Sequence, residues 1–262
     1  PEHQAERTVV KDRRFLYFIS LVATIGGLMF GFDMGIISGA IPFIQPYFGW
    51  DELQLGWGVS SILLGCIAGA FGTGSLTERY GRKSVLITVA LLFAVSSAGM
   101  ALAESASTFI AFRVIGGLAV GAVSVLSPMY VAEVAPPGIR GRLVTIYQLA
   151  ITMGILVSYV VNFLLHEVDN NWRWMFATGL VPSVVFFTGL LFIPESPRWL
   201  VKAGKKEKAA GVLSRIGGTE FARTELEEIE ASLDDSQRGG SRRLLFNSRY
   251  PRVMLIALLL PA

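Results

Sequence analysis

Two ionisable residues stand well inside long apolar stretches of this sequence: Asp33 within Phe15–Gln45 and Arg113 within Phe109–Ala132. A lone charge at the centre of a membrane helix costs about 2.5–3.5 kcal/mol on insertion scales, so such residues tend to be paired and to mark functional paths. Helical rise puts Asp33 about 27 Å along its stretch and Arg113 about 6 Å along its own. If the two stretches cross a bilayer in opposite senses, both residues sit in its outer half at similar depth. A carboxylate beside a guanidinium is favoured in its charged form, and desolvation favours the neutral form. Alternate pairing and separation of Asp33 and Arg113 would therefore load and release a proton. The coupling ion is then the proton, and no cofactor is called for. A permanent ion pair that only fixes helix register is the other reading.

Gln148 is the next polar residue of interest, with Tyr147 beside it and Asn162 further along. An amide donates and accepts, which suits a hydroxyl-rich ligand. By residue type alone, an interhelical hydrogen bond is the commoner use of such a side chain. Cys66 is the single cysteine, and His3 and His166 have no ligand-type neighbours, so no metal site is expected. An enzyme site within the apolar stretches would need a nucleophile, base or metal cluster, which two ionisable residues do not supply.

The elements that must position these residues follow from composition. Apolar residues make up 52% of the chain and charged residues 16%, with a mean hydropathy of +0.54. The charges gather in clusters between stretches long enough to cross a hydrocarbon core of about 30 Å. Six such stretches are expected: Phe15–Gln45, Leu53–Thr77, Ser84–Ala103, Phe109–Ala132, Leu143–Leu165 and Trp174–Ile193. The first is too long for a cleavable leader. Arg7, Lys11, Arg13 and Arg14 precede it, and the later basic clusters at Arg79–Lys83, Arg140–Arg142 and Arg198–Lys208 fall in every second loop. This alternation places the N-terminus and the segment after Ile193 in the cytoplasm. It also accounts for the net charge of +3 without nucleic acid. Tyr47, Trp50, Trp57, Trp172 and Trp174 fall at the opposite edge, where amphipathic rings prefer the interface.

Glycine recurs at every fourth residue along Gly27, Gly31, Gly35 and Gly39, and again at Gly65/Gly69 and Gly117/Gly121. Small residues at this interval let helices pack closely in lipid. Beyond the sixth stretch, Lys205–Ile216 and Glu220–Leu233 read as amphipathic cytoplasmic helices. Gln237–Arg243 reads as a linker. The expected organisation is a cytoplasmic tail at 1–14, a six-helix membrane domain at 15–193, a cytoplasmic helical segment at 194–249, and the truncated start of a seventh span at 250–262. The chain is expected to continue past Ala262.

Several motifs resemble one family. Gly74-Ser-Leu-Thr-Glu78-Arg79-Tyr-Gly81-Arg82-Lys83 resembles the loop signature of the major facilitator superfamily, with Glu78 where that superfamily more often has Asp. Arg113-Val-Ile-Gly116-Gly117 through Tyr130 and Glu133 to Arg140-Gly141 is similar to the sugar porter pattern of the fourth helix. Pro194-Glu195-Ser196-Pro197-Arg198-Trp199-Leu200 is similar to the motif closing the sixth, and Gly31-Phe-Asp33 to the first. The resemblance implies an all-α integral membrane protein, the N-terminal half of a twelve-helix fold built from 3+3 inverted repeats, working by alternating access. It implies Asp33 as the proton-binding acid, Arg113 as its partner and Gln148 as a sugar contact. It also implies that Glu78, Arg79, Arg82, Glu133, Arg140, Glu195 and Arg198 form a cytoplasmic charge network. Ile155 is apolar where some sugar porters carry a second glutamine, so the pattern does not choose between pentose and hexose.

The expected activity is proton-coupled transport of a monosaccharide or related polyol across the cytoplasmic membrane. The expected partners are the sugar, membrane lipid and a missing C-terminal six-helix half. Facilitated diffusion with a structural Asp33 is the alternative. A sugar-sensing receptor is disfavoured, because nothing in Lys205–Arg243 resembles an effector domain.

Overall fold

A computed structural model describes residues 11–238 as eleven helices and their connections. The linker beyond Arg238 and the expected seventh-span start at 250–262 lie outside the described residues, as do residues 1–10 of the tail. Among the described residues, six spans are long and apolar enough to cross a membrane. They are α1 (Arg13–Phe48), α2 with α3 (Glu52–Ser60 and Ile62–Tyr80), α4 (Arg82–Ala101), α5 (Ala106–Val134), α6 (Pro137–Leu165), and α7 with α8 (Asn171–Ala177 and Leu180–Phe192). Three shorter helices follow: α9 (Pro197–Lys202), α10 (Lys206–Gly217) and α11 (Thr219–Arg238). The last two match the amphipathic segments expected from sequence. The six residues of α9 fall within the helical segment expected at 194–249; Pro197 at its first turn and the Ser196 side chain accepting from Trp199 N–H start it.

Glycine determines how the bundle closes. On α1, a Cβ at Gly31 would run into the backbone carbonyl of Ile151 on α6, and one at Gly154 of α6 into the carbonyl of Leu28. The same intimacy joins α3 and α5, where Gly65 faces the Val114 carbonyl and Gly117 the Ile62 carbonyl. Spans one and five thus meet as spans four and two do, the correspondence expected of two three-helix repeats.

The two ends of the bundle differ. At one end, Phe48, Trp50, Phe109, Trp172 and Phe176 pack as a ring cluster, with Phe109 and Phe176 centroids 5.3 Å apart. Of the five rings expected at this edge, Trp50 and Trp172 are therefore buried in the cluster, while Tyr47, Trp57 and Trp174 are exposed. Arg173 crosses this end. It donates to the Ala101 carbonyl and to Tyr47 Oη, each at 2.8 Å, and lies over the Trp172 ring. That staple of α1, α4 and α7 explains a basic residue at the aromatic end. At the other end, α10 grips the start of α1: the N–H groups of Lys11 and Asp12 donate to the Ile216 carbonyl, and Arg215 covers the Phe15 ring.

Candidate functional site: a buried ion pair and a charged end

Asp33 and Arg113 meet. Arg113 Nη1 lies 3.0 Å from Asp33 Oδ2 and 3.2 Å from Oδ1, with both side chains at most 5% exposed. Depth alone did not require contact. Contact follows because the small residues along α1 and α5 let both helices run through the core, where each buries a face lined by glycine. One nitrogen straddles both carboxylate oxygens, and Arg113 Nε is buried with no hydrogen-bond partner. A buried N–H left unmatched costs about 1–3 kcal/mol. The pair is thus closed in charge but incomplete in hydrogen bonding.

The charged end holds a tighter assembly. Arg82 engages Glu133 as a fork, Nε to Oε2 at 2.9 Å and Nη2 to Oε1 at 2.8 Å. Two parallel bonds of this kind fix orientation as well as charge. Ser196 Oγ donates to Glu133 through a short hydrogen bond, and Tyr130 Oη donates to the Pro194 carbonyl at 2.7 Å. Glu195 does different work. Its carboxylate accepts from the backbone N–H groups of Arg82 and Lys83, capping α4 from a distant part of the chain. Gly81 makes this possible: its φ of 92° lies in the left-handed region, and a Cβ there would collide with the Glu195 carboxylate.

Of the seven residues expected in a charge network, Arg82, Glu133 and Glu195 are joined by hydrogen bonds, and Glu78, Arg140 and Arg198 gather with Arg82 and Glu133 around one hollow. Glu78 pairs with Lys202 at 3.3 Å, an exposed contact, while Arg79 lies over the Tyr80 ring. Arg79, Arg140 and Arg198 form no ion pair among the described residues; Arg140 donates to the Ala135 carbonyl at 3.3 Å. Arg140 and Arg198 instead line a hollow of about 560 Å³ with Glu133, Glu225 and Ile229. Burial raises the Glu225 carboxyl above its ordinary range and Glu228 adds to this, with Arg140 opposing. Gln148 is exposed and its side chain makes no hydrogen bond among the described residues, so it ties none of the described helices together. Its neighbour Tyr147 is buried against Gly27.

The family model for "sugar (and other) transporter" matches residues 19–261. The arabinose-proton symporter of Bacillus subtilis is 44% identical over 94% of this chain and 54% of its own length. The chain belongs to the sugar transporter family. The D-xylose-proton symporter of Escherichia coli is 38% identical over 88% of this chain and 54% of its own. A solved structure of a major facilitator superfamily proton:xylose symporter, bound to 6-bromo-6-deoxy-D-glucose, superposes with a TM-score of 0.84 at 38% identity. It covers 88% of this chain and 56% of that one. The chain thus spans about half the length of these relatives, and its six spans are the N-terminal half of a major facilitator fold.

Within this sugar transporter half, three contributors escaped sequence reading. Lys202 takes Glu78, Ser196 bonds both Glu133 and the start of α9, and the Trp199 indole donates to the Glu78 carbonyl. Only Ser196 carried a signal, as a Ser before Pro at a helix start. The fork is a strong constraint. Arg82→Gln leaves Glu133 nearly buried beside Ser196 without a cation, and we expect a loss of about 3 kcal/mol. Thermal unfolding in detergent should show this as a clearly lowered midpoint, with Arg79→Gln close to the parent protein.

Proposed function

We propose that this chain is the N-terminal half of a proton-coupled monosaccharide transporter, carrying a pentose, hexose or related polyol by alternating access. The observation that carries the proposal is the buried Asp33–Arg113 pair, held through one guanidinium nitrogen. A forked pair such as Arg82–Glu133 is suited to staying closed; a pair that leaves Nε unmatched is suited to opening. When α1 and α5 move apart, a carboxylate without its cation in an apolar setting favours the protonated form. Return of the guanidinium favours proton release. Motion of the sugar-bearing bundle and protonation of Asp33 then bias one another, which is the thermodynamic content of coupling.

The charged end faces the cytoplasm in this reading, consistent with its excess of Lys and Arg. A second six-helix half completes the transporter, and Arg140 and Arg198 around the hollow offer it two cations. Gln148, polar and exposed on a membrane helix, supplies hydrogen bonds to sugar hydroxyls. The names of the relatives, symporters of arabinose and xylose with protons, support the substrate class and the coupling ion.

The test is uptake of radiolabelled arabinose, xylose and glucose by vesicles containing the full-length protein. Saturable uptake of at least one sugar, accumulated above its outside concentration and released by a protonophore, is the expected result. Saturable uptake that only equilibrates and ignores the protonophore would make the protein a facilitator with a structural ion pair.

A further inference from the structure

The surface of α6 is divided more sharply than a lipid-facing helix requires. At about 100° per residue, Tyr147, Ile151, Gly154, Ser158 and Asn162 occupy one arc, against α1. Next to that arc, Gln148, Thr152 and Tyr159 fall within about 40° of one another, and all three are exposed. The remaining arc, about 100° wide, holds Leu149, Met153, Leu156, Val157, Val160 and Leu164, also exposed. Phe163, also exposed, falls about 20° beyond Thr152 and marks the border; on either side of it the exposed polar and apolar residues of this stretch separate. Exposed polar side chains on a spanning helix point to a bundle interior or a water-filled cavity rather than to lipid.

The Thr152 hydroxyl adds an independent observation. Other threonines in these helices satisfy their hydroxyls on a carbonyl of the preceding turn, Thr73 and Thr178 at 2.6 Å, Thr188 at 2.7 Å, Thr145 at 3.0 Å and Thr88 at 3.1 Å. Thr152 reaches the Gln148 carbonyl only at 3.5 Å. Normal O–H···O separations cluster near about 2.7–2.8 Å, so this bond is slack. In hydrocarbon a slack hydroxyl would be costly; beside a hydroxylated ligand it is available both to donate and to accept.

We infer that Thr152 is a substrate-contacting, specificity-determining residue, one helical turn beyond Gln148, with its hydroxyl bonded to a hydroxyl of the transported sugar. Tyr159 extends the same wetted arc towards the aromatic end. This rests on the sugar-transport reading. Position 152 then distinguishes sugars by the presence and orientation of one hydroxyl, at a level where the neighbouring Ile155 offers none.

The experiment uses the full-length transporter in vesicles. Thr152→Val keeps the shape and removes the hydroxyl. It should raise KM about three- to tenfold with kcat within about twofold, the loss expected of one neutral hydrogen bond. Thr152→Ser should recover most of that loss. In a Cys66→Ser background, Thr152→Cys should react with a membrane-impermeant thiosulfonate and be protected by sugar, while Val157→Cys on the apolar arc should not react. Unchanged KM in Thr152→Val, alongside a raised KM in Gln148→Ala, overturns the assignment of Thr152 while leaving the sugar reading intact. Equal reactivity of the two cysteines overturns it as well. Absence of sugar uptake by the parent protein fails the sugar reading instead, and the cysteine comparison then still decides whether this arc lines an aqueous path.

Discussion

Asp33→Asn is expected to abolish uphill accumulation of sugar while sparing exchange of sugar across the membrane. Asn has nearly the same shape and can still accept a hydrogen bond from Arg113 Nη1, but it cannot gain or lose a proton in the working range. For a one-proton mechanism, an imposed difference of one pH unit supports about tenfold accumulation, because about 1.4 kcal/mol is a factor of ten. The variant should bring that ratio to one. Counterflow, in which labelled sugar enters against unlabelled sugar preloaded inside, needs no proton and should persist. The substitution also leaves the Arg113 cation uncompensated in a site where its side chain is 2% exposed. Removing one partner of a buried pair costs about 3–5 kcal/mol, so thermal stability should fall in parallel. Asp33→Glu keeps the charge and separates the two effects: stability should recover more than coupling does, since the longer side chain shifts the oxygens relative to Nη1. Proton-driven accumulation that survives in Asp33→Asn would remove this pair from the coupling mechanism, whatever its place in the fold.

What the sequence revealed, and what it hid, divides by the range of the interaction. The depth of Asp33 and of Arg113 was legible because each span has a fixed rise per residue and the alternating basic loops set its direction. The glycine contacts were legible for the same reason: a four-residue interval fixes a face. The burial of Trp50 and Trp172 was not legible, because residue type cannot distinguish an exposed ring at the end of a span from one sealed under Phe48 and Phe109. Clustered Arg and Glu residues announce a charged end, but only three-dimensional packing decides that Glu195 caps α4 while Arg140 and Arg198 face Glu133 and Glu225 across a hollow without an ion pair among the described residues. Gln148 was ambiguous because an amide can serve a helix or a ligand equally well. The side it faces, with Thr152 and Tyr159, is a property of how α6 is rotated against α1.

That rotation depends on Gly31, and Gly31→Ala should be among the most damaging single substitutions in the chain. The added Cβ would overlap the carbonyl oxygen of Ile151 and crowd its carbonyl carbon. These are backbone atoms of a continuous helix, so no rotamer change relieves the clash. Either α6 moves away, or it turns and takes Gln148 and Thr152 with it. Overpacking of a tight interface costs about 1–3 kcal/mol and occasionally more. Gly72 on α3 gives the control, since a Cβ there meets nothing within 4 Å. Gly72→Ala should be neutral or stabilising by up to about 1 kcal/mol, because alanine is the better helix former. Thermal unfolding in detergent should therefore show a lowered midpoint for Gly31→Ala and an unchanged or raised one for Gly72→Ala. Gly31 also lies two residues before Asp33, so a displaced α1 draws the carboxylate from Arg113, and sugar transport should fall even at temperatures where Gly31→Ala remains folded. Equal stability of the Gly31 and Gly72 variants would mean that α1 and α6 are not held at backbone contact, and the orientation of the polar arc would lose its support.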